Sequence, residues 1–150
     1  MDKAAVIERY RALLNELDEP ARNVVLSSGS ALVLLGVRMT TADLDADIPE
    51  NLFRLYERSG KFTVLEATEG LSKQLKFEPD VDLSVLDTDR GVCCIGGVWA
   101  YSPSELLAQK RYLSTFPGRS EGKRAADLLD IIALETLVKE QKHSARVNMA

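Results

Sequence analysis

From Asp43 to Ile48 the chain alternates strictly between acid and apolar residues, Asp-Leu-Asp-Ala-Asp-Ile. Side chains alternate across a β-strand, so a strand here carries Asp43, Asp45 and Asp47 on one face and Leu44, Ala46 and Ile48 on the other. The apolar face asks for a core and the acidic face for water or cations. Pro49 ends the strand and can open the next helix, which runs to about Arg58.

The surrounding segments supply the rest of a fold. Val6, Ile7, Tyr10, Leu13, Leu14 and Leu17 recur at helical spacing and predict an amphipathic helix over about 3–17, ended by Asp18, Glu19 and Pro20. Val24-Val25-Leu26 reads as a short strand, Ser27-Ser28-Gly29 as a tight turn, and Ser30 to Leu35 as a brief helix stopped by Gly36. Lys61 to Ala67, Leu71 to Phe77 and Val81 to Leu86 are predicted as strands punctuated by Glu69-Gly70 and Glu78-Pro79. Gly91 to Tyr101 forms a further strand or hairpin broken at Gly96-Gly97.

Ser102-Pro103-Ser104-Glu105 offers a capping serine, a proline at the first helical position and a glutamate placed for a capping box. It predicts a helix to about Ser114. Phe116-Pro117-Gly118 interrupts, and a second helix follows from Lys123 to about Lys142. Its expected core face is Leu128, Leu129, Ile132, Leu134 and Leu137, with a tail over 143–150. The order of elements implies an α+β fold, a mixed or antiparallel sheet covered by helices. At 150 residues and 45% hydrophobic, the expectation is one domain over 1–150, with a C-terminal helical part at about 103–142.

Charge and rare residues narrow the chemistry. A net charge of −4 argues against coating a polyanion, so nucleotide binding would depend on local cations or metal ions. The two cysteines, Cys93 and Cys94, are adjacent in an apolar run and read as buried strand residues; the one histidine, His143, lies in the tail. This set removes most zinc sites and most Ser-His or Cys-His nucleophile schemes. No apolar stretch approaches the roughly 20 residues of a membrane span. The start, Met1-Asp2-Lys3-Ala4, lacks a signal-like apolar core, which implies a cytoplasmic protein.

Two features point to one site. A Gly29-Ser30 turn entering a helix can hold phosphate: Gly29 lets the backbone approach closely and Ser30 adds a hydroxyl donor. Asp43 and Asp45, two residues apart on a strand, project together and suit one or two Mg²⁺ ions that also touch substrate phosphates. A third acid from a neighbouring strand is expected at Asp82, with Asp80 as the alternative. The metal pair is Asp43 with Asp45, or Asp45 with Asp47.

The Gly-Ser turn, twelve intervening residues and Asp-hydrophobic-Asp together resemble the signature of the minimal nucleotidyltransferase superfamily. The stretch Gly36-Val37-Arg38-Met39-Thr40-Thr41-Ala42-Asp43-Leu44-Asp45 is similar to that of its abortive-infection and toxin-like branches. Ser102-Pro103, Leu106-Leu107, Lys110, Arg119 and Asp127-Leu128-Leu129-Asp130 resemble their later helices, so the likeness covers roughly 24–135.

The resemblance implies a nucleotidyltransferase-like mixed sheet packed with helices, with a Mg²⁺ or Mn²⁺ cofactor and a nucleoside triphosphate substrate. It implies phosphate contacts at Gly29 and Ser30, and adds Arg38 and Thr41 to the nucleotide site. Asp43, Asp45 and Asp82 would hold metal, Asp82 serving otherwise as the base for the acceptor hydroxyl, and Lys110 would neutralise phosphate charge. RNA, a protein or a small molecule would be the acceptor. A homodimer, a cognate partner protein, or a non-catalytic regulatory relative also fits the branch.

Other readings compete. Three alternating aspartates suit a solvated edge strand. An EF-hand loop needs glycine where Ile48 stands and glutamate where Arg54 stands. A haloacid-dehalogenase-like phosphatase would place its Asp-x-Asp at the end of an apolar strand, unlike Arg38-Met39-Thr40-Thr41-Ala42. Lys110 suits a solvated helix face, and Asp127 and Asp130 could pair with Lys123 and Arg124 at helical spacing.

Overall fold

The computed structural model describes residues 1–68 and 72–149. The fold is α+β, with two compact units, Met1–Tyr101 and Ser102–Ala150. The expected boundary at Glu69-Gly70 and the start of a strand at Leu71 lie outside the described residues.

In the first unit α1 (Lys3–Leu17) leads through a 3-10 turn (Ala21–Asn23) to β1 (Val25–Leu26), α2 (Ser28–Leu34), β2 (Leu44–Ile48) and α3 (Glu50–Ser59). Then come β3 (Thr63–Leu65), β4 (Gln74–Phe77), β5 (Val81–Val85), β6 (Val92–Ile95) and β7 (Val98–Tyr101). These seven strands form one sheet in the order β3-β4-β5-β2-β1-β7-β6. The pairs β2–β5 and β1–β7 are parallel and the others antiparallel. The sheet is therefore mixed, with the acid-bearing β2 at its centre.

The alternation in β2 is realised. Leu44, Ala46 and Ile48 are fully buried, together with Leu75 of β4 and Val81 and Leu83 of β5. The helix periodicity of α1 buries Val6, Tyr10 and Leu13. Each large apolar side chain withdrawn from water contributes about 1.5–3 kcal/mol before conformational entropy is set against it. A polar link adds direction: the Tyr10 hydroxyl lies 2.9 Å from the Ala21 carbonyl and 2.8 Å from that of Val24, and accepts the Trp99 N–H at 3.3 Å. Burial pushes this phenol up to about 12, so it stays protonated and able to donate. Between β6 and β7, Gly96 and Gly97 have φ of 57° and 82°, the positive values a two-residue hairpin of type I′ requires.

Cys93 and Cys94 depart from expectation: Cys93 is half-buried and Cys94 exposed. β6 is the last strand of the sheet and among the described residues pairs only with β7, so its apolar run is not enclosed on both sides.

The second unit holds α4 (Pro103–Leu113) and α5 (Glu121–Met149). α4 begins where the proline predicts, yet Ser102 makes no side-chain cap; its Oγ instead lies 3.4 Å from Ser104 Oγ. α5 continues past Lys142 and His143 to Met149. Its inner face is also different from the apolar stripe expected. Asp127, Asp130 and Leu134 are buried, while Leu128, Leu129 and Ile132 are 58%, 71% and 61% exposed. The reason is Lys110, which α4 holds at only 9% exposure: a buried ammonium requires carboxylates, and these rotate the helix against the hydrophobic pattern.

Candidate active site

The parallel register of β2 and β5 sets Asp45 directly beside Asp82. On the next strand Lys76 stands opposite Asp82, its Nζ 3.6 Å from Asp82 Oδ1. One row across the sheet thus reads Lys76, Asp82, Asp45. On the other side of Asp45, its carbonyl accepts the Ser27 N–H at 2.9 Å. Asp43 sits just before β2, near enough for its charge to act on both Asp45 and Asp82.

The tight turn expected at Ser27-Ser28-Gly29 is instead the start of α2, whose first residues include Gly29 and Ser30, and these hold the row in place. Ser30 is fully buried; its Oγ accepts the Asp45 N–H at 2.7 Å and donates to the Asp43 carbonyl at 3.2 Å. Thr41 Oγ1 donates to the same carbonyl at 3.1 Å. Gly29 makes room for the arrangement: a Cβ there would lie 2.7 Å from Thr41 Oγ1 and 3.5 Å from Arg38 Nη1. Gly29, Ser30, Arg38 and Thr41 are therefore brought together next to the acids. Ser30 Oγ and Thr41 Oγ1 are engaged with the strand's backbone, and Ser28 enters α2 with φ of 47°, in the left-handed region that side chains other than glycine rarely adopt.

Crowded charge governs the electrostatics. Burial, followed by the charges of Asp82, Asp43 and Asp47, pushes the Asp45 carboxyl up to about 7. Burial also raises Asp82, with Lys76 opposing and Asp43 reinforcing. Asp82 Oδ1 is buried and has no hydrogen-bond partner among the described residues.

The other two acids are differently occupied. Tyr101 donates its hydroxyl to Asp47 Oδ2 at 2.6 Å; burial raises Asp47 to about 6, with the hydrogen bonds from Tyr101 and Ser27 working against it. Asp80 receives Arg9 Nε at 3.0 and 3.2 Å. The charges of Asp82, Asp43 and Asp47 all act on Asp45, while Asp47 also holds Tyr101 and Asp80 holds Arg9.

This donor set fits a hard divalent cation, which binds carboxylate oxygens and relieves repulsion among them. The specific observation in its favour is Asp82 Oδ1, which is buried without a hydrogen bond and faces only the longer 3.6 Å ion pair with Lys76 among the described residues. Among the described residues no group of three or more His, Cys, Asp or Glu side chains is arranged to hold a metal ion. Mg²⁺ is commonly held by one or two carboxylates, with water and substrate phosphates completing its shell, so Asp45 and Asp82 need not form a finished cage.

Lys110 belongs to the second unit. Its Nζ lies 3.1 Å from Asp127 Oδ1 and 3.3 Å from Asp130 Oδ2, and Arg119 also binds Asp127. The anticipated pairing of these aspartates with Lys123 and Arg124 gives way to partners distant along the chain; Arg124 Nη2 instead reaches the Phe116 carbonyl at 2.7 Å. A cation beside the acid row that the sequence reading missed is Lys76. Its signal was the alternation Gln74-Leu75-Lys76-Phe77, whose short turn into β5 puts Lys76 opposite Asp82.

No family model matches this chain, and no curated protein matches it. No helix among the described residues is long and apolar enough to cross a membrane.

Proposed function

We propose that the protein is a Mg²⁺- or Mn²⁺-dependent nucleotidyltransferase that moves a nucleotidyl group from a nucleoside triphosphate to a hydroxyl on RNA, a protein or a small molecule. The observation that carries this reading is the Asp45–Asp82 pair on adjacent parallel strands, with Asp43 beside it and one buried Asp82 oxygen that makes no hydrogen bond. The similarity of Gly29-Ser30 and Asp43-Leu44-Asp45 to the minimal nucleotidyltransferase signature supports it. A cytoplasmic location goes with a triphosphate substrate.

In this reading Asp43 and Asp45 would hold the metal, and Asp82 would either accept the proton of the attacking hydroxyl or join them, the proton then passing to solvent water. That oxygen forms its bond to the α-phosphorus as the bond to the β-phosphate oxygen breaks, and pyrophosphate leaves. The metal, when bound, supplies Lewis-acid neutralisation of phosphate charge. Lys76 adds a cation from the protein, in the role the resemblance assigns to Lys110. Ser30 and Thr41 act as positioning residues, and Gly29 and Arg38 border the phosphate end. Such transfer depends chiefly on alignment and charge neutralisation and needs no histidine.

A second reading is a nucleotide-binding or regulatory module that has lost turnover. The lack of a preformed three-residue metal group among the described residues favours it. Purified protein incubated with each labelled triphosphate and Mg²⁺, beside Asp43→Ala with Asp45→Ala, separates the two. Label transfer abolished in the variant supports the enzyme; metal-dependent binding without transfer supports the module. Absence of metal-dependent nucleotide binding sinks both.

A further inference from the structure

α5 exposes three large apolar residues while burying two carboxylates. Leu128, Leu129 and Ile132 are each more than half exposed, while Asp127 and Asp130 are buried. A single exposed leucine needs no explanation, but three large apolar residues adjoining on one helix face do. α4 cannot account for the full helix: its 11 residues span about 17 Å against about 43 Å for the 29 of α5.

The spacing along this face is that of a helix-pairing seam. Glu121, Ala125, Leu128, Ile132, Glu135 and Lys139 follow one another at alternating intervals of four and three residues. We infer that α5 pairs antiparallel with α5 of a second copy of this chain. Turned about position 130, Leu128 of each copy meets Ile132 of the other, Ala125 leaves room for the stem of Glu135, whose carboxylate is held by Arg111 of α4 at 3.0 Å, and Glu121 meets Lys139. Every pair occurs twice, as an isologous two-fold interface requires. The charge match is what selects the occupant: laid parallel and in register, the same stripe would set Glu121 on Glu121 and Lys139 on Lys139. The inference is independent of the nucleotidyltransferase reading.

The test is sedimentation velocity on the full chain from low micromolar to several hundred micromolar. The wild type should sediment as a dimer within that range, and Leu128→Lys with Ile132→Lys as a monomer with unchanged far-UV circular dichroism. Both sites are exposed, so folding should survive. Glu121→Lys and Lys139→Glu, made singly, should each weaken dimerisation roughly tenfold, and the double reversal should restore it. A wild type monomeric throughout overturns the inference, as does a Leu128→Lys/Ile132→Lys variant that remains dimeric. Single reversals that weaken association without rescue in the double overturn the antiparallel register.

Discussion

Ser30 holds Asp45 by its backbone: the serine hydroxyl accepts the Asp45 N–H at 2.7 Å while donating to the carbonyl of Asp43. The residue expected to touch phosphate thus first fixes the strand that carries the acids. Ser30→Ala should leave the Asp45 N–H without its partner and cost about 1–3 kcal/mol. It should also weaken Mn²⁺ binding measured by titration calorimetry. An unchanged denaturant midpoint would count against the clamp.

Gly29→Ala tests the same region by steric means. In a helix this replacement ordinarily stabilises by a few tenths of a kcal/mol or more. Here the added methyl would lie 2.7 Å from Thr41 Oγ1, so the sign should reverse, at a cost of about 1–3 kcal/mol. Restoration of the melting temperature on adding Thr41→Ala would identify the hydroxyl as the obstacle; no restoration would point to the Thr41 Cβ or the Arg38 side chain, the next nearest atoms.

For Asp45 the pH dependence has a definite sign. Its folded value, about 7, lies above the ordinary 3.8, so the folded state favours the protonated carboxyl, and its charge at neutral pH works against folding. In a chelating buffer Asp45→Asn should be more stable than wild type at pH 8, by on the order of 1–2 kcal/mol. The advantage should shrink as pH falls through about 7 and be lost below about 4. Melting temperatures across that range decide it; a gap that widens on acidification contradicts the crowding of carboxylates described for this site.

Asp127 should behave in the opposite way. Burial alone would raise it, but hydrogen bonds from Arg119 and Lys110 prevail and hold it below the ordinary carboxylate value. Its stabilisation is present above about pH 4 and is lost as pH falls through the depressed folded value. Asp127→Asn should therefore cost about 2–3 kcal/mol at pH 7, with the difference from wild type narrowing in acid. Urea denaturation at pH 7 and pH 3 measures both ends, and equal differences would refute the assignment.

Local pattern made much of the first unit legible. The two-residue period of Asp43–Ile48 foretold β2 and its faces, and Gly96-Gly97 foretold the hairpin, because both signals are contained in a few adjacent residues. Lys76 was less accessible, since its importance comes from register between strands. Asp82 was already preferred over Asp80 from the sequence, and the hydrogen bond from Arg9, on α1, to Asp80 came only with the fold. On α5 the pattern misled: hydrophobicity alone turned Leu128, Leu129 and Ile132 inward, whereas a lysine from another helix had already claimed the inner face for Asp127 and Asp130.

The parallel pairing of β1 with β7 means that a strand near the start of the chain must wait for one made much later. During synthesis, which proceeds at about 5–20 residues per second, β2 and β5 can bring Asp45 and Asp82 side by side while Tyr101 is still to come. Until then Asp47 lacks its phenol and β1 has a neighbour on one side only. A nascent chain stalled before Val98 would carry the acid row on an open-edged sheet, the form most exposed to pairing with the wrong strand.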